Sequence, residues 1–219
     1  MRPGNNQSAR LALGGRSERP SAAPGKRAGK PRVLRIIGGT WRGRKLRFPA
    51  SAAIRPTPDR VRETLFNWLG AAIHGARCLD LFAGSGALGL EALSRGAAHV
   101  TFVERDAPVA QALRELLVEW QAGDARVERS DALRYLAGEP RPFDIVFLDP
   151  PFASELLARS AAQLEERHWL AADARIYLEC AAREGLPPLP ATWRVLKGKQ
   201  AGEVGYHLLA HAAPDMHTT

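Results

Sequence analysis

The tetrapeptide Asp149-Pro150-Pro151-Phe152 contains residue types suited to holding an exocyclic amine. It follows the apolar run 143–148, which predicts a buried strand, so it begins at the carboxyl end of that strand. The prolines fix φ and remove two N–H groups, which leaves the Pro150 carbonyl and the Asp149 carboxylate as acceptors in a rigid turn. These acceptors can bind both amine hydrogens, and Phe152 offers a ring on which a base can stack. The alternative is an ordinary turn at the end of a strand, since Pro-Pro also marks loops.

A glycine-rich run follows an earlier predicted strand, 77–82, in the pattern Gly84-x-Gly86-x-x-Gly89. The same pattern opens the helix of a dinucleotide site, where a pyrophosphate lies at the helix N-terminus. Asp80 precedes the glycines and would repel such an anion. It suits the ammonium and sulfonium groups of S-adenosylmethionine, which has no phosphate. The run therefore favours a site for S-adenosylmethionine over one for a dinucleotide.

Two further carboxylates follow the next predicted strands and complete a candidate cofactor site. Glu104 comes directly after the strand 98–103 and can accept hydrogen bonds from both ribose hydroxyls. Asp131 comes after the strand 125–129 and can accept from an adenine amino group, although it could equally cap the helix that follows. Since the carboxyl ends of parallel strands share one edge, one adenosyl cofactor can reach all of these groups. The predicted cofactor residues are Asp80, Phe82, Gly84, Gly86, Glu104 and Asp131.

The remaining pattern predicts an α/β fold in which strands alternate with helices. The predicted strands are 77–82, 98–103, 125–129, 143–148 and 174–180, and the predicted helices are 86–95, 107–121, 131–137 and 153–167. Alternation at this spacing implies βαβ units and a mostly parallel sheet. Residues 193–197 and 206–210 are strand-like with no helix between them, which predicts an antiparallel C-terminal hairpin connected by residues 198–202.

The net charge of +8 is divided unevenly along the chain. Residues 1–62 contain 16 Lys and Arg and two acids, whereas residues 63–219 contain 15 Lys and Arg and 21 acids. A basic front end on a mildly acidic body favours a polyanionic partner such as nucleic acid. The alternative is a solubilising tail, because basic tails also occur without a specific partner.

The chain divides into four predicted segments. Residues 1–31 contain no Val, Ile, Phe, Tyr or Trp, which predicts a disordered basic tail. Residues 32–56 are expected to form a basic β-hairpin and a connecting turn. Residues 57–212 form the predicted α/β domain, and residues 213–219 are expected to be a flexible C-terminus.

The candidate phosphate contacts lie on the predicted hairpin and on the helix after it. Thr57 and Pro58 predict the N-cap and the first residue of that helix, 58–70. The basic candidates are Arg42, Arg44, Lys45 and Arg47 on the hairpin, and Arg60 and Arg62 on the helix. Contacts to phosphates set register and affinity rather than base identity.

Composition disfavours several other kinds of protein. No run approaches the ~18–20 apolar residues of a membrane helix, and two isolated cysteines form neither a disulfide framework nor a CxxC pair. Cys78 and Cys180 are therefore expected to be free thiols in a reducing compartment. The six histidines form no ligand pair such as HxxxH, so no metal is expected.

Together these motifs resemble the class I S-adenosylmethionine-dependent methyltransferases that act on exocyclic amines. More narrowly, the chain resembles the bacterial 16S ribosomal RNA guanine-N2 methyltransferases of the RsmD type over residues 32–212. The stretches that carry the resemblance are 35–39, 42–46, 55–66, 79–86 and 149–152. Asp149 and Phe152 stand where many amine methyltransferases have Asn and Tyr, which keeps the acceptor and the ring but not the phenol hydroxyl.

The resemblance implies a Rossmann-like, seven-stranded sheet with an antiparallel last strand, preceded by the small basic hairpin. It also implies direct SN2 methyl transfer from S-adenosylmethionine to a guanine N2 of 16S rRNA, on a partly assembled small subunit. Asp149, Pro150 and Phe152 would then be the catalytic residues. We expect a cytoplasmic monomer that requires neither a membrane nor a metal.

Three other functions stay open at this point. An adenine-N6 nucleic-acid methyltransferase would use the same tetrapeptide and glycine run, but it would normally need a target-recognition insertion that is not seen here. A nicotinamide-dependent dehydrogenase would use the glycines and leave Asp80 unexplained. A non-catalytic RNA-binding assembly factor would keep the basic front end and leave Glu104 and Asp149 without a role.

Overall fold

The computed structural model describes residues 1, 32–48, 57–151 and 155–212. Within these ranges the strands form a two-stranded hairpin and a separate seven-stranded sheet. The predicted disordered tail apart from Met1, most of the connecting turn, Phe152 and the predicted flexible C-terminus lie outside the described residues.

Nine strands and five α-helices make up the described structure. The strands are Arg32–Arg35 (β1), Lys45–Phe48 (β2), Arg77–Asp80 (β3), His99–Glu104 (β4), Ala125–Arg129 (β5), Phe143–Leu148 (β6), Leu170–Ala181 (β7), Trp193–Ala201 (β8) and Val204–His211 (β9). The helices are Asp59–Leu69 (α1), Ala87–Ser94 (α2), Ala107–Glu119 (α3), Ala132–Leu136 (α4) and Leu156–Glu166 (α5), and a 3-10 turn, Gly70–Ile73, follows α1.

The seven-stranded sheet has the order β5-β4-β3-β6-β7-β9-β8. β3 pairs in parallel with β4 and β6, and parallel pairing continues to β5 on one side and to β7 on the other. β9 runs antiparallel to both of its neighbours, β7 and β8. This topology confirms the predicted mostly parallel sheet with an antiparallel C-terminal hairpin. The carboxyl ends of β3, β4, β5, β6 and β7 consequently meet at one edge, where ligands bind in sheets of this kind.

Helices cover both faces of this sheet, and strand side chains alternate between the two faces. Phe102 on β4 lies in the core cluster that contains Leu65 of α1 and Leu90 of α2. The next residue, Val103, lies in the opposite cluster with Leu136 of α4. This two-residue alternation is the geometry of a strand that is buried on both sides. Among the described residues, no helix is both long and apolar enough to cross a lipid bilayer.

Two glycines allow α2 to start against the sheet. Gly86 adopts the left-handed backbone region at the N-cap, with φ of 74°, and a β-carbon there would lie 2.7 Å from Leu113 Cδ1. Gly89 lies so close to the Phe102 ring that a β-carbon at this position would collide with it. The turn and the helix packing therefore require glycine at both positions, whatever ligand the loop binds.

The basic hairpin, formed by β1, β2 and the turn between them, is attached to the domain through apolar and backbone contacts. Ile36 and Leu46 are buried in the same core cluster as α1 and α2. The amides of Ile37 and Gly38 donate to the two carboxylate oxygens of Glu91, at 2.9 and 2.8 Å. Because Glu91 lies on α2 and its side chain is fully buried, the hairpin is bonded directly to the interior of the domain.

The prediction that Arg62 contacts RNA is wrong, because its side chain is fully buried. Its guanidinium pairs with Asp59 at 2.7 Å and with Glu91 at 3.4 Å, and it donates to the Arg35 carbonyl at 2.9 Å. The basic hairpin covers the face of α1 that carries this residue, a contact that helical periodicity does not reveal. Arg62 therefore joins the hairpin to α1 and α2.

Two strands are longer than the sequence predicts. β7 begins at Leu170 rather than at residue 174, and β8 continues to Ala201 through residues that were expected to form a loop. Residues 197–201 each pair with a residue of β9, and the turn is confined to the two residues between these strands. Pairing with a neighbouring strand, rather than apolar content, extends β8.

We expect Glu91→Gln to destabilise the protein by about 3 kcal/mol, because it leaves the buried Arg62 charge without its interior partner. The substitution preserves side-chain size, so the packing around α2 changes little. The measurement is the free energy of unfolding from urea titration. Glu119→Gln, at an exposed position on α3, is the control and should change stability by less than about 0.5 kcal/mol. Equal losses in the two variants would contradict the role assigned to Glu91.

Candidate active site

The carboxyl ends of the parallel strands open into a cavity of about 500 Å³. The structure brings most of the predicted site residues together at this cavity. Its lining includes Asp80, Phe82, Gly84, Glu104, Asp131, Asp149 and Pro150. Gly86 starts α2 beside the cavity, and Phe152 lies outside the described residues.

The cavity is strongly acidic. The carboxylates that line it are those of Asp80, Glu104, Asp106, Asp131, Asp149 and Glu179, and Arg105 is the one basic side chain among the described lining residues. A pyrophosphate would meet charges of its own sign here, whereas an ammonium or sulfonium group would be attracted. The electrostatics of the cavity therefore favour a cationic ligand over a dinucleotide.

Asp80 lies at the end of β3, beneath the glycine loop. Its carboxylate accepts a hydrogen bond from the Gly89 amide at 3.0 Å, in the first turn of α2. Burial raises the pKa of Asp80 to about 7, the Gly89 amide partly offsets this rise, and the charge of Glu104 adds to it. An acid with this pKa gains from a nearby cation, because the cation stabilises its ionised form.

Glu104 at the end of β4 connects two loops. One carboxylate oxygen accepts from the Gly84 amide at 2.8 Å and the other accepts from the Asp106 amide at 2.7 Å. These bonds hold the glycine loop against the end of β4. Each oxygen has a second lone pair, so the carboxylate can still accept from the hydroxyls of a ribose. That role stays a prediction.

Asp131 caps α4, as one of its two sequence-based interpretations states. A single oxygen, Oδ1, accepts from the amides of Leu133 and Arg134, at 3.0 and 3.3 Å. Because Asp131 also lines the cavity, its second oxygen can still accept from a ligand amine. Capping and adenine binding are therefore compatible, and adenine binding stays a prediction.

Asp149 and Pro150 follow β6 at the centre of the site. Burial raises the pKa of Asp149 well above its ordinary value, and the charges of Glu179 and then Asp80 raise it further. The Thr57 hydroxyl lowers the same pKa by hydrogen bonding to the carboxylate. An acid of this kind accepts a proton more readily than an exposed aspartate does.

Thr57, Tyr177 and Glu179 are site residues that the sequence analysis missed. Pro58 occupies the N-cap of α1, and the Thr57 hydroxyl lies 3.1 Å from Glu179 Oε1 and 3.4 Å from Asp149 Oδ2. The predicted capping role of Thr57 is therefore wrong. The Tyr177 hydroxyl donates to Glu179 Oε1 at 2.7 Å. Glu179 did have a sequence signal, since it is a carboxylate near the carboxyl end of an apolar strand.

The exposed candidates for RNA contact lie outside the cavity. Arg42, Arg44, Lys45 and Arg47 on the basic hairpin and Arg60 on α1 are all exposed. The Arg44 guanidinium lies 5.4 Å from the centre of the Trp120 ring, and Trp41 packs edge-on against the same ring at 5.2 Å. Trp41 therefore contributes to hairpin packing, and the basic side chains remain available to a polyanion.

Known proteins are similar to this chain in sequence and in fold. Residues 34–210 match the family described as "Conserved hypothetical protein 95". The chain is 53% identical over 180 residues to ribosomal RNA small subunit methyltransferase D of Escherichia coli K12, covering 82% of this chain and 91% of that protein. It is 46% identical to the Haemophilus influenzae protein of the same name, covering 80% and 92%.

The chain belongs to the RsmD family of methyltransferases. A solved structure described as the putative methyltransferase yhhF of Escherichia coli has a TM-score of 0.78 and 51% identity to it, covering 83% of this chain and 99% of that one. The Thermus thermophilus 16S rRNA N2 G1207 methyltransferase, solved with AdoMet and guanosine, has a TM-score of 0.60 and 25% identity, covering 88% and 53%. Membership of the RsmD family confirms the predicted class I methyltransferase fold and removes the dehydrogenase alternative.

We expect Asp80 to make this RsmD-family protein less stable as the pH rises towards 7. Its pKa is raised from 3.8 to about 7 on folding, so its favourable contribution is complete below about pH 4 and is lost as the pH rises through about 7. Asp80→Asn keeps an acceptor for the Gly89 amide but does not titrate. The stability of the Asn variant relative to the unsubstituted protein should therefore increase by about 3 kcal/mol between pH 5 and pH 8. Urea unfolding of both proteins at each pH measures this, and a constant difference would refute the raised pKa.

Proposed function

We propose that this protein transfers a methyl group from S-adenosylmethionine to the exocyclic N2 of a guanine in 16S rRNA, on an assembling small ribosomal subunit. One observation carries the proposal: Asp149 and Pro150 open into the same acidic cavity as Asp80, Glu104 and Asp131. An amine-binding group and a set of cofactor acceptors therefore share one cavity at the sheet edge.

The acidic cavity supports the choice of cofactor. Asp80 would face the methionine ammonium, Glu104 the ribose hydroxyls and Asp131 the adenine amine. Phe82 and the loop at Gly84 would line the adenosyl group on the remaining side. The ribose hydroxyls and the adenine amine are neutral hydrogen-bond donors, and the ammonium is a cation. The acids therefore attract the cofactor, which has no phosphate for them to repel.

The chemistry at the target amine is carried by groups at the end of β6. Asp149 and the Pro150 carbonyl would accept the two amine hydrogens and hold the nitrogen lone pair towards the methyl donor. S-adenosylmethionine, when bound, supplies a methyl group on an activated sulfonium, so no enzyme nucleophile is needed. The Asp149 carboxylate would also stabilise the positive charge that develops on the nitrogen. Phe152, as the sequence predicts, would supply the stacking face.

A carboxylate at position 149 favours guanine over adenine. The Watson–Crick edge of guanine presents two adjacent donors, N1–H and the N2 amine, which one ionised carboxylate can accept together. Adenine places an acceptor, N1, beside its amine, and that acceptor would face the carboxylate lone pairs. The similar Thermus thermophilus enzyme, solved with AdoMet and guanosine, supports the same preference. Adenine-N6 methylation is therefore the weaker candidate.

The basic surface supports ribosomal RNA as the substrate. The Escherichia coli and Haemophilus influenzae relatives are named ribosomal RNA small subunit methyltransferase D, and the hairpin presents the exposed cations Arg42, Arg44, Lys45 and Arg47. We expect these cations to contact phosphates while the base enters the cavity. We expect the protein to act as a monomer.

The function is tested by methyl transfer from labelled S-adenosylmethionine to 30S particles, naked 16S rRNA and double-stranded DNA. Nucleosides from the labelled product are then separated by chromatography. We expect N2-methylguanosine, with the highest yield from the particle or its precursor. Label recovered as N6-methyladenosine, or in DNA, would refute the proposed target.

Asp149→Ala should lower the single-turnover rate by roughly 30- to 1,000-fold, since loss of one such acceptor costs ~2–4 kcal/mol of barrier. The affinity for S-adenosylmethionine, measured by calorimetry, should change little because Asp149 faces the target amine. Asp173→Ala, at an exposed position near the opposite end of the sheet, is the matched control. A near-normal rate for the Asp149 variant would disprove its catalytic role.

Replacing Arg42, Arg44, Lys45 and Arg47 with Ala should weaken RNA association and reduce its salt dependence. Each lost phosphate contact removes about 0.7–0.9 from the slope of log affinity against log salt concentration. Affinity for S-adenosylmethionine should not change, because the predicted cofactor residues lie at the sheet edge. Deletion of residues 2–31 is the comparison and should reduce the slope less. If the deletion has the larger effect, the tail rather than the hairpin is the main RNA anchor.

A further inference from the structure

Behind Asp149 the cavity wall contains a short chain of polar groups that the mechanism above does not use. The Thr57 hydroxyl lies between two carboxylates, 3.1 Å from Glu179 Oε1 and 3.4 Å from Asp149 Oδ2. The Tyr177 hydroxyl donates to the same Glu179 oxygen at 2.7 Å. Thr57, Tyr177 and Glu179 are all buried, so packing holds this geometry. Buried polar groups destabilise the folded protein unless they are hydrogen-bonded, so we expect these contacts to be maintained in the folded protein.

The unequal distances indicate the direction of the chain. A hydroxyl has one proton to donate, and the shorter separation assigns that donation to Glu179. The contact between the Thr57 hydroxyl and Asp149 Oδ2, at 3.4 Å, is the longer and weaker of its two hydrogen bonds. A proton that arrives on Asp149 turns this carboxylate into a donor. The result is a continuous set of hydrogen bonds from Asp149 through Thr57 to Glu179.

We propose that Thr57 and Glu179 relay the proton that the target amine loses during methyl transfer. The amine N–H bond breaks and an O–H bond forms on Asp149. Asp149 then gives this proton to the Thr57 oxygen while the Thr57 proton moves to Glu179. Asp149 and Thr57 return to their starting states, and Glu179 becomes neutral.

Glu179 can then return the proton to water, because it lines the cavity and is reached by solvent once the product leaves. Thr57 and Glu179 act through Asp149 and are therefore positioning residues. Asp149 also lines the cavity, so the advantage of the relay is that Asp149 is ionised again while the methylated base still covers its cavity face.

The groups around this chain allow the two acids to hold the one proton that the amine releases. Burial raises the pKa of both Asp149 and Glu179, and the charge of Glu179 raises the pKa of Asp149 further. Asp80 on β3 adds a further negative charge beside Asp149. Tyr177 lowers the pKa of Glu179 by donating to it, and Tyr206 on β9 adjoins Tyr177. Glu179, which receives two hydrogen bonds, is therefore ionised when the proton first reaches Asp149, and it can then receive that proton through Thr57.

The first test compares Thr57→Val, which removes the hydroxyl at nearly constant volume, with Thr57→Ser, which restores it. Thr57→Val should lower the single-turnover methylation rate on the particle roughly 10- to 100-fold, within the range of general acid–base contributions, at unchanged affinity for RNA and S-adenosylmethionine. Thr57→Ser should recover most of the rate. Equal rates for the Val and Ser variants, or a change in KM rather than in kcat, would overturn the relay.

Glu179→Gln should also lower the rate, and it should move the low-pH midpoint of the rate profile to lower pH. The midpoint moves in this direction because the charge of Glu179 raises the pKa of Asp149. When that charge is removed, Asp149 ionises at a lower pH. Combining Glu179→Gln with Thr57→Val should cause little additional loss, since both changes interrupt the same chain. Additive losses, or an unmoved midpoint, would contradict the proposal.

The relay rests on the proposed amine methylation, so one measurement uses no RNA. The Thr57 hydroxyl lowers the pKa of both acids, and its removal raises both. Acids whose pKa is raised in the folded protein lose their stabilising effect as the pH rises through that pKa. The urea midpoint of Thr57→Val should therefore fall more steeply with rising pH than that of Thr57→Ser. Parallel curves for the two variants would show that the Thr57 hydroxyl does not bridge the two acids, which would overturn the relay. If the curves diverge but the unsubstituted protein does not methylate RNA, the proposed function is refuted and the bridging hydroxyl is not.

Discussion

The buried carboxylate of Glu91 is the contact on which the arrangement of the N-terminal part of the fold depends. It accepts from the backbone amides of Ile37 and Gly38 and from the guanidinium groups of Arg62 and Arg95. Removing a carboxylate from water costs several kcal/mol, and only a complete set of donors in good geometry offsets this cost. The basic hairpin, α1 and α2 must therefore adopt one mutual arrangement, since a shift of any of them would leave a buried charge unpaired.

The hydrogen bonds to Glu91 also determine how α1 lies relative to the candidate active site. Arg62 fixes the rotation of this helix, and Thr57 lies just before the first turn of the same helix. Once Arg62 is bonded to Glu91, the chain entering α1 lies beside the ends of β6 and β7, where the Thr57 hydroxyl contacts Asp149 and Glu179. The hairpin, whose exposed cations are the proposed RNA contacts, is thus bonded to the helix that contributes a hydroxyl to the proposed proton relay. The proposed RNA-binding surface and the proposed relay are therefore held in position by the same set of buried contacts.

The sequence predicts those features that follow from local pattern and from topology. Apolar strands between amphipathic helices predict the parallel sheet, and topology then requires that Asp80, Glu104 and Asp149 meet at one edge. The missed features depend on contacts between segments distant in sequence. Helical periodicity places Arg62 on a polar face of α1, but it does not show that the basic hairpin covers this face. Pro-Thr-Pro is typical of a helix start, and the sequence does not show that the Thr57 hydroxyl instead contacts the carboxylates of Asp149 and Glu179.

The separation of charge between the surface and the cavity suggests how one chain can bind RNA and still select a base. The hairpin cations attract phosphates, but the cavity carboxylates repel them, so the RNA backbone is favoured at the rim and disfavoured inside. A base carries no charge, and guanine presents adjacent donors to those carboxylates. In the proposed mechanism, the acids that disfavour phosphate in the cavity are also the acids that attract the cationic cofactor and take up the amine proton. Neutralising the cavity would therefore weaken selection of the ligand, binding of the cofactor and removal of the proton together.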